Sequence, residues 1–290
     1  MVFKKWAIID QKKGDNSMKD FKGKTAYVVG GSSGIGLSTA NLLARLGAHI
    51  IIFARGKKRL DDAVVEIKGN TISKAQKVAS FAMDVSDNKV VNETMNKCVK
   101  KFGPPYLLIN SAGRARPHYF GDITFDMFDE TMKMNTYGVW NTISSLVPHM
   151  KERGGYIANV SSIAGFLGVF GYSDYAASKF AVTGLSEALR SELKPFGITV
   201  SILCPPDTQT PGFDVENLTK PEETKVLSES AKVMSSDAVA KGFIKGIKKG
   251  KFMIIPGFDS NLTYLAKRLV PGIVELVMNS TIKKVQKRMK

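Results

Sequence analysis

Hydrophobic and polar positions alternate along this chain in two textures. Residues 25–29, 49–54, 78–84, 107–109, 155–160 and 199–204 are short, nearly uncharged apolar runs rich in β-branched side chains. Between them, residues 37–46, 61–67, 88–102, 127–145 and 173–193 carry apolar side chains at helical spacing. Continuous apolar runs suit strands covered on both faces, and spacing of three to four suits helices packed on them. The pattern predicts an α/β fold, a single Rossmann-like doubly wound parallel sheet of about seven strands with helices on both faces. Residues 236–248 supply the last expected helix and 252–255 the seventh strand.

Three stretches break this rhythm. Residues 1–20 are polar and lysine-rich and read as a basic N-terminal arm, with the domain running from 21 to 258. Residues 206–236, starting Pro/Thr-rich, intervene between the sixth strand and the last helix; their length predicts a lid over the substrate. Residues 259–290 mix leucines and valines with lysines and are cut in two by Pro271-Gly272. Two roles fit this tail: binding in the plane of an anionic membrane, or packing on the domain or at a dimer interface.

Charge sharpens the picture of the ends. The net charge of +16 has seven lysines against three aspartates in residues 1–24, and seven Lys/Arg against Glu275 alone in residues 261–290. An anionic partner is expected, and the tails lack the interleaved aromatics or recognition motif of a nucleic-acid binder, so none is expected there. No signal-peptide-like run and no stretch of about 18 uncharged apolar residues occurs. The chain is expected in the cytoplasm or peripherally on the cytoplasmic face of a membrane. Cys98 and Cys204 fit no metal-ligand spacing and are too few for a disulfide framework.

Candidate chemistry gathers at the predicted strand ends. After the first strand come Gly30, Ser32, Ser33, Gly34, Ile35 and Gly36, then a helix. In a strand–turn–helix context such glycines let the backbone approach a pyrophosphate held by unpaired N–H groups at the helix start. The second strand ends in Arg55 and Arg59 with no acid until Asp61. A carboxylate there would accept ribose hydroxyls, whereas Arg55 grips a 2′-phosphate, which predicts NADPH as cofactor. Asp84 with Val85 is placed to meet an adenine amino group, and Asn110, Ala112 and Gly113 follow the fourth strand. Ser162 ends the fifth strand, thirteen residues before Tyr175, and Lys179 follows Tyr175 by one helical turn. An ammonium beside a phenol favours the phenolate, so Lys179 is expected to lower the pKa of Tyr175 from about 10 towards neutrality.

Together these motifs resemble the short-chain dehydrogenase/reductase family over about residues 22–257. The resemblance implies a catalytic tetrad of Asn135, Ser162, Tyr175 and Lys179. It also implies cofactor contacts from the glycine turn, from Asn110, Ala112 and Gly113, and from Pro205 and Thr208 after the sixth strand. In the implied reaction Tyr175 protonates a carbonyl oxygen, Ser162 hydrogen-bonds it, Lys179 holds the nicotinamide ribose and Asn135 holds a water. Departures are Val29, where the family commonly has threonine, Ser111 in the Asn-Asn-Ala-Gly motif, and Pro205-Pro206 in place of Pro-Gly. The stretch Cys204 to Phe213, with Thr219 to Thr224, is similar to the family's sphingoid-base branch. Those members reduce the 3-keto group of 3-ketosphinganine with NADPH, and their eukaryotic forms carry hydrophobic membrane segments. The implied partners are a long-chain keto lipid and further copies of the chain in a homodimer or homotetramer. Other NADPH-dependent ketoreductases, acting on 3-oxoacyl thioesters, steroids or retinoids, share the tetrad. A scaffold that only senses NADP is the non-enzyme alternative.

Overall fold

Strand β1 (Thr25–Val29) lies in the interior of the sheet, buried along its length after Thr25. In the computed structural model, which describes residues 20–229 and 232–289, it pairs in parallel with β2 (His49–Ala54) and β4 (Leu107–Asn110). Strands β3 (Val78–Ala82), β5 (Gly155–Val160) and β6 (Ile198–Leu203) extend the sheet. Two short strands, β7 (Thr208–Gln209) and β8 (Met234–Ser235), form a separate parallel pair, and β9 (Met253–Ile254) closes the edge. The strand order 3-2-1-4-5-6-9 reverses direction between β1 and β4. Ligands bind in such sheets at the C-terminal edge of that reversal. The register puts Val29 beside Phe53 and Asn110, and Asn110 beside Asn159, so the strand ends there are level.

Alternate strand residues serve opposite faces. Ala26, Val28, Ile50 and Ile52 pack with Leu43 of α1 (Gly34–Arg45), Leu60 of α2 (Lys57–Gly69) and Phe243 of a helix described below. Tyr27, Val29, Ile51 and Phe53 face Met95 of α3 (Asn88–Phe102) on the other side. The expected helix over residues 127–145 is two helices, α4 (Phe125–Met132) and α5 (Gly138–Met150), joined by a π-type turn at Lys133–Tyr137. The extra residue in that turn carries Asn135 inward, fully buried. Ile143 and Leu146 of α5, with Val182 of α6 (Ser173–Glu192), complete the second core.

The segment over residues 206–236 holds two helices, α7 (Pro211–Asn217) and α8 (Glu222–Glu229). Thr210 caps α7 by accepting from the Phe213 N–H at 3.1 Å, and Pro211 starts it where no N–H is needed. Helix α9 (Ser236–Lys248) brings Phe243 under the sheet. The tail forms α10 (Phe258–Leu269) and α11 (Pro271–Met289), and Pro271 parts them as expected. It packs on the domain: Val285 is buried, Gln286 donates to Glu223 at 3.2 Å, and the Tyr264 and Phe166 rings meet edge to face at 5.1 Å. Its other side stays exposed, with Leu265, Leu269 and Leu276 turned outward. The basic arm expected over residues 1–20 lies, but for Asp20, outside the described residues.

Candidate active site

A cleft of about 790 Å³ opens at the C-terminal edge of the sheet. Its floor begins at the turn after β1, where the chain needs glycine for stated reasons. Gly30 has φ +78°, and a Cβ there would lie 2.5 Å from the Ala112 nitrogen; a Cβ on Gly36 would lie 2.2 Å from the Gly30 oxygen. Helix α1 starts with Ser33 making no side-chain cap and with no acid in its first turn. Its first N–H groups therefore face the cleft without a carboxylate competitor, a cradle that fits a pyrophosphate.

The wall next to it holds the chemistry. Ser162, at the end of β5, accepts a hydrogen bond from the Ala164 N–H at 3.1 Å and hydrogen-bonds the Tyr175 phenol. Tyr175 and Lys179 share a face of α6, with Lys179 Nζ 5.5 Å from the Tyr175 ring centre. Lys179 is buried and donates to the Val160 carbonyl at 3.0 Å, which ties α6 to the end of β5. Burial pushes its pKa down to about 8. For Tyr175, burial first and the Glu216 carboxylate second push the phenol above its ordinary value, and only the Ser162 hydrogen bond acts the other way. This corrects the expectation that Lys179 lowers the phenol: desolvation of the buried hydroxyl and the neighbouring Glu216 carboxylate set the direction of the shift.

Asn135 differs from expectation in its commitments. Its amide donates to the Arg114 carbonyl at 2.9 Å and to Ser178 Oγ at 3.0 Å, while its Oδ1 accepts from the Arg114 N–H at 2.9 Å. With both amide hydrogens used, the side chain pins the loop after β4 to α6. A Cβ on Gly113 would lie 3.1 Å from Asn135 Oδ1 and 3.3 Å from Lys179 Nζ, so glycine there leaves the lysine room beside the asparagine.

With this geometry in view, comparison with known proteins is decisive. A short chain dehydrogenase profile matches residues 24–220. The chain belongs to the short-chain dehydrogenase family. A 3-ketodihydrosphingosine reductase of Dictyostelium discoideum is 41% identical over 267 residues, 87% of this chain and 79% of that protein. One of Bos taurus is 39% identical over 253 residues, 87% of this chain and 75% of that protein. The crystal structure of a family member from Burkholderia phymatum in complex with NAD superposes with a TM-score of 0.76 at 25% identity, covering 89% of this chain and 96% of that one. A nicotinamide cofactor is accordingly this dehydrogenase's redox partner.

Most sequence-predicted residues of this short-chain dehydrogenase line one cleft: Gly30, Ser32, Ser33, Gly34, Ile35, Arg55, Arg59, Val85, Ala112, Gly113, Ser162, Tyr175, Lys179, Pro205 and Thr208. Three predicted cofactor contacts and the predicted catalytic Asn135 do not. Gly36 lies beneath the turn, packed against Gly30. Asn110 is buried under the floor, donating to Asn159 Oδ1 at 2.9 Å and accepting from Thr142 at 2.8 Å, so its side chain clamps β4 to β5 and α5. Asp84 is turned to Ser86, whose hydroxyl donates at 2.7 Å, and stands 3.9 Å from Arg55 Nη1. Burial alone would raise the Asp84 carboxyl, yet the Ser86 hydrogen bonds and Arg55 together hold it below the usual carboxylate range.

Sequence reasoning missed part of the wall. Tyr172, set aside because no lysine follows it by one turn, lies beside Tyr175 with ring centres 5.7 Å apart and donates its hydroxyl to Glu216. Asp207 and Glu216 also line the cleft. The signal available was Glu216 and Lys220 at helical spacing, which reads as an ordinary surface pair until Lys220 is found buried. Leu262, Ala266, Ile273, Val274 and Val277 of the tail line the mouth, an apolar contribution the domain boundary at 258 hid.

Proposed function

We propose that this dehydrogenase uses NADPH to reduce the 3-keto group of 3-ketosphinganine to the secondary alcohol of sphinganine. The observation that carries the reading is the lining of the cleft: the Tyr175 phenol and apolar side chains of α10 and α11 border the same cavity. That arrangement suits a polar, ketone-bearing head with a long alkyl chain. Support also comes from the two curated relatives, both described as 3-ketodihydrosphingosine reductases.

A bound nicotinamide supplies hydride to the ketone carbon. Tyr175 donates its proton to the ketone oxygen; a phenol held above its ordinary pKa stays protonated at neutral pH and is ready to act as an acid. Ser162 hydrogen-bonds the same oxygen and stabilises the charge that develops on it, its own oxygen held in place by the Ala164 N–H. Lys179, which burial brings to a pKa of about 8, returns a proton to the phenolate and would hold the nicotinamide ribose hydroxyls. Asn135 keeps the loop after β4 and the α6 helix in register around them.

NADPH is favoured over NADH by Arg55 and Arg59 in the cleft wall after β2, with no carboxylate at the strand end. Charge-assisted hydrogen bonds to a 2′-phosphate are worth about 1.5–3 kcal/mol each. Arg55→Asp is therefore expected to weaken NADPH at least about 10-fold and leave NADH little changed, read by cofactor fluorescence titration. The function itself is tested with purified protein, NADPH, 3-ketosphinganine and a panel of 3-oxoacyl thioesters. Sphinganine formation, lost in Tyr175→Phe with NADPH binding intact, is the expected result. Turnover of the thioesters alone would replace the substrate, and near wild-type turnover by Tyr175→Phe would remove the tyrosine from the mechanism.

A further inference from the structure

We infer that Asp207 and Glu216 form an ammonium-binding subsite that selects ketones carrying a protonated amine on the carbon next to the carbonyl. The inference rests on the substrate reading above, since 3-ketosphinganine has its amine at that carbon.

In this part of the cleft wall two acids share one ion-pair partner. Lys220 Nζ stands 3.6 Å from Asp207 Oδ2 and 3.5 Å from Glu216 Oε1, and its side chain is only 2% exposed. The Phe213 ring covers it at 4.3 Å. One ammonium between two carboxylates leaves one negative charge over. Arg114 pairs with Glu130 instead, and Lys179, though it keeps its charge, is turned to the Val160 carbonyl and makes no ion pair with either acid. Tyr172 gives Glu216 a single neutral hydrogen bond, and Asp207 Oδ2 is buried with no hydrogen-bond partner. Burial holds the Glu216 carboxyl above its usual range, the mark of a negative charge that is costly there until a counter-ion arrives. A cationic ligand supplies it; a thioester or a steroid does not.

The location matches the geometry of an α-amino ketone. Glu216 is bonded to Tyr172, whose ring centre is 5.7 Å from that of Tyr175, so the acid lies one aromatic ring from the proton donor. Carbonyl and ammonium of the substrate sit on adjacent carbons, and their protein partners must be neighbours too. The negative charges of Glu216 and Asp207 help to raise the Tyr175 phenol. Lys220 then has a defined task. It neutralises one of the two acids, so the subsite takes one positive charge rather than two.

The test compares wild type and Glu216→Gln, with NADPH, on 3-ketosphinganine and on its desamino counterpart, in which hydrogen replaces the amine. Wild type is expected to prefer the amine-bearing ketone by about 10- to 100-fold in kcat/KM, mostly through KM, as one charged hydrogen bond implies. Glu216→Gln is expected to bring the two substrates within about 3-fold of each other, and Glu216→Asp, which keeps the charge, to recover part of the preference. General structural damage lowers both substrates and leaves their ratio alone. A wild-type ratio retained in Glu216→Gln overturns the subsite and leaves the substrate reading standing. Equal use of both ketones by wild type overturns the subsite as well. Wild type that binds NADPH and reduces neither ketone removes the substrate reading and the subsite with it. If Glu216→Gln does not fold, Asp207→Asn is judged by the same ratio.

Discussion

Lys179 shows at a single residue how function and stability pull apart. An ordinary lysine titrates near 10.5, and burial brings this one to about 8. At 1.36 kcal/mol per pH unit the difference is about 3 kcal/mol. Its sign follows from proton binding. Between pH 8 and 10.5 the unfolded chain holds a proton that the folded chain has released, so stability rises with pH across that window and is lowest, and flat, below it. Lys179→Met removes the ionisation cost while roughly filling the space. It is expected to abolish reduction yet stabilise the fold at pH 7 by about 1–3 kcal/mol, less than the full amount because the Val160 carbonyl loses its donor. The gain should vanish as pH rises from 8 to 10.5. Denaturant melts of both proteins across that range check it, and a destabilised variant at pH 7 would show that the hydrogen bond outweighs the burial of charge. The same residue explains a failure of sequence reasoning. A Tyr–Lys pair one turn apart announces proximity, but the direction of the phenol's titration depends on burial and on Glu216, which is far away in the chain and visible only once folded.

Elements were legible where periodicity speaks and obscure where a neighbour decides. Strands β1, β2 and β5 and helices α3 and α9 fall where apolar spacing puts them, because each is buried along a regular face. The π-type turn at Lys133–Tyr137 has no signature in the hydrophobic pattern; its rationale is the trio of Asn135 bonds to Arg114 and Ser178. Residues 206–236 begin with proline and threonine and read as a lid without defined elements, while α7 and α8 are held by Thr210 capping, the Lys220 ion cluster and α11. One helical surface still lacks a partner. Trp140 on α5 is 57% exposed and Phe180 on α6 46%, with Tyr137 also outward. Large aromatics left in water in this way mark an association surface. We propose that a second copy covers it. Trp140→Glu is expected to convert an oligomer to monomer in light scattering after size exclusion, with cofactor binding kept, and an unchanged mass would move the interface elsewhere.

At the scale of the whole molecule, the basic tail and the cleft are parts of one surface. Leu262, Ile273 and Val277 line the cleft mouth and are each more than half exposed, and Leu265, Leu269 and Leu276 continue the apolar strip along α10 and α11. Lys267, Arg268, Lys283, Lys284, Lys287 and Arg288 flank it. Among the described residues no helix is long and apolar enough to cross a membrane. We propose that these helices lie in the plane of an anionic bilayer and open the cleft towards it, so that a long-chain ketone enters without crossing water. Partition of the leucines follows buried apolar area, and each flanking cation adds about 1 kcal/mol near an anionic surface. Truncating the tail would be a poor test, because α11 also packs on α8 and roofs the cleft. Substituting Leu265, Leu269 and Leu276 by serine spares both contacts. The triple variant is expected to sediment with anionic vesicles at least about 30-fold more weakly while its affinity for NADPH holds. Wild type should bind neutral vesicles less well and lose anionic ones as salt rises. Reduction of a short-chain, water-soluble α-amino ketone should stay at the wild-type rate while that of vesicle-borne 3-ketosphinganine falls. Vesicle binding that survives the three substitutions would take the membrane contact away from the tail.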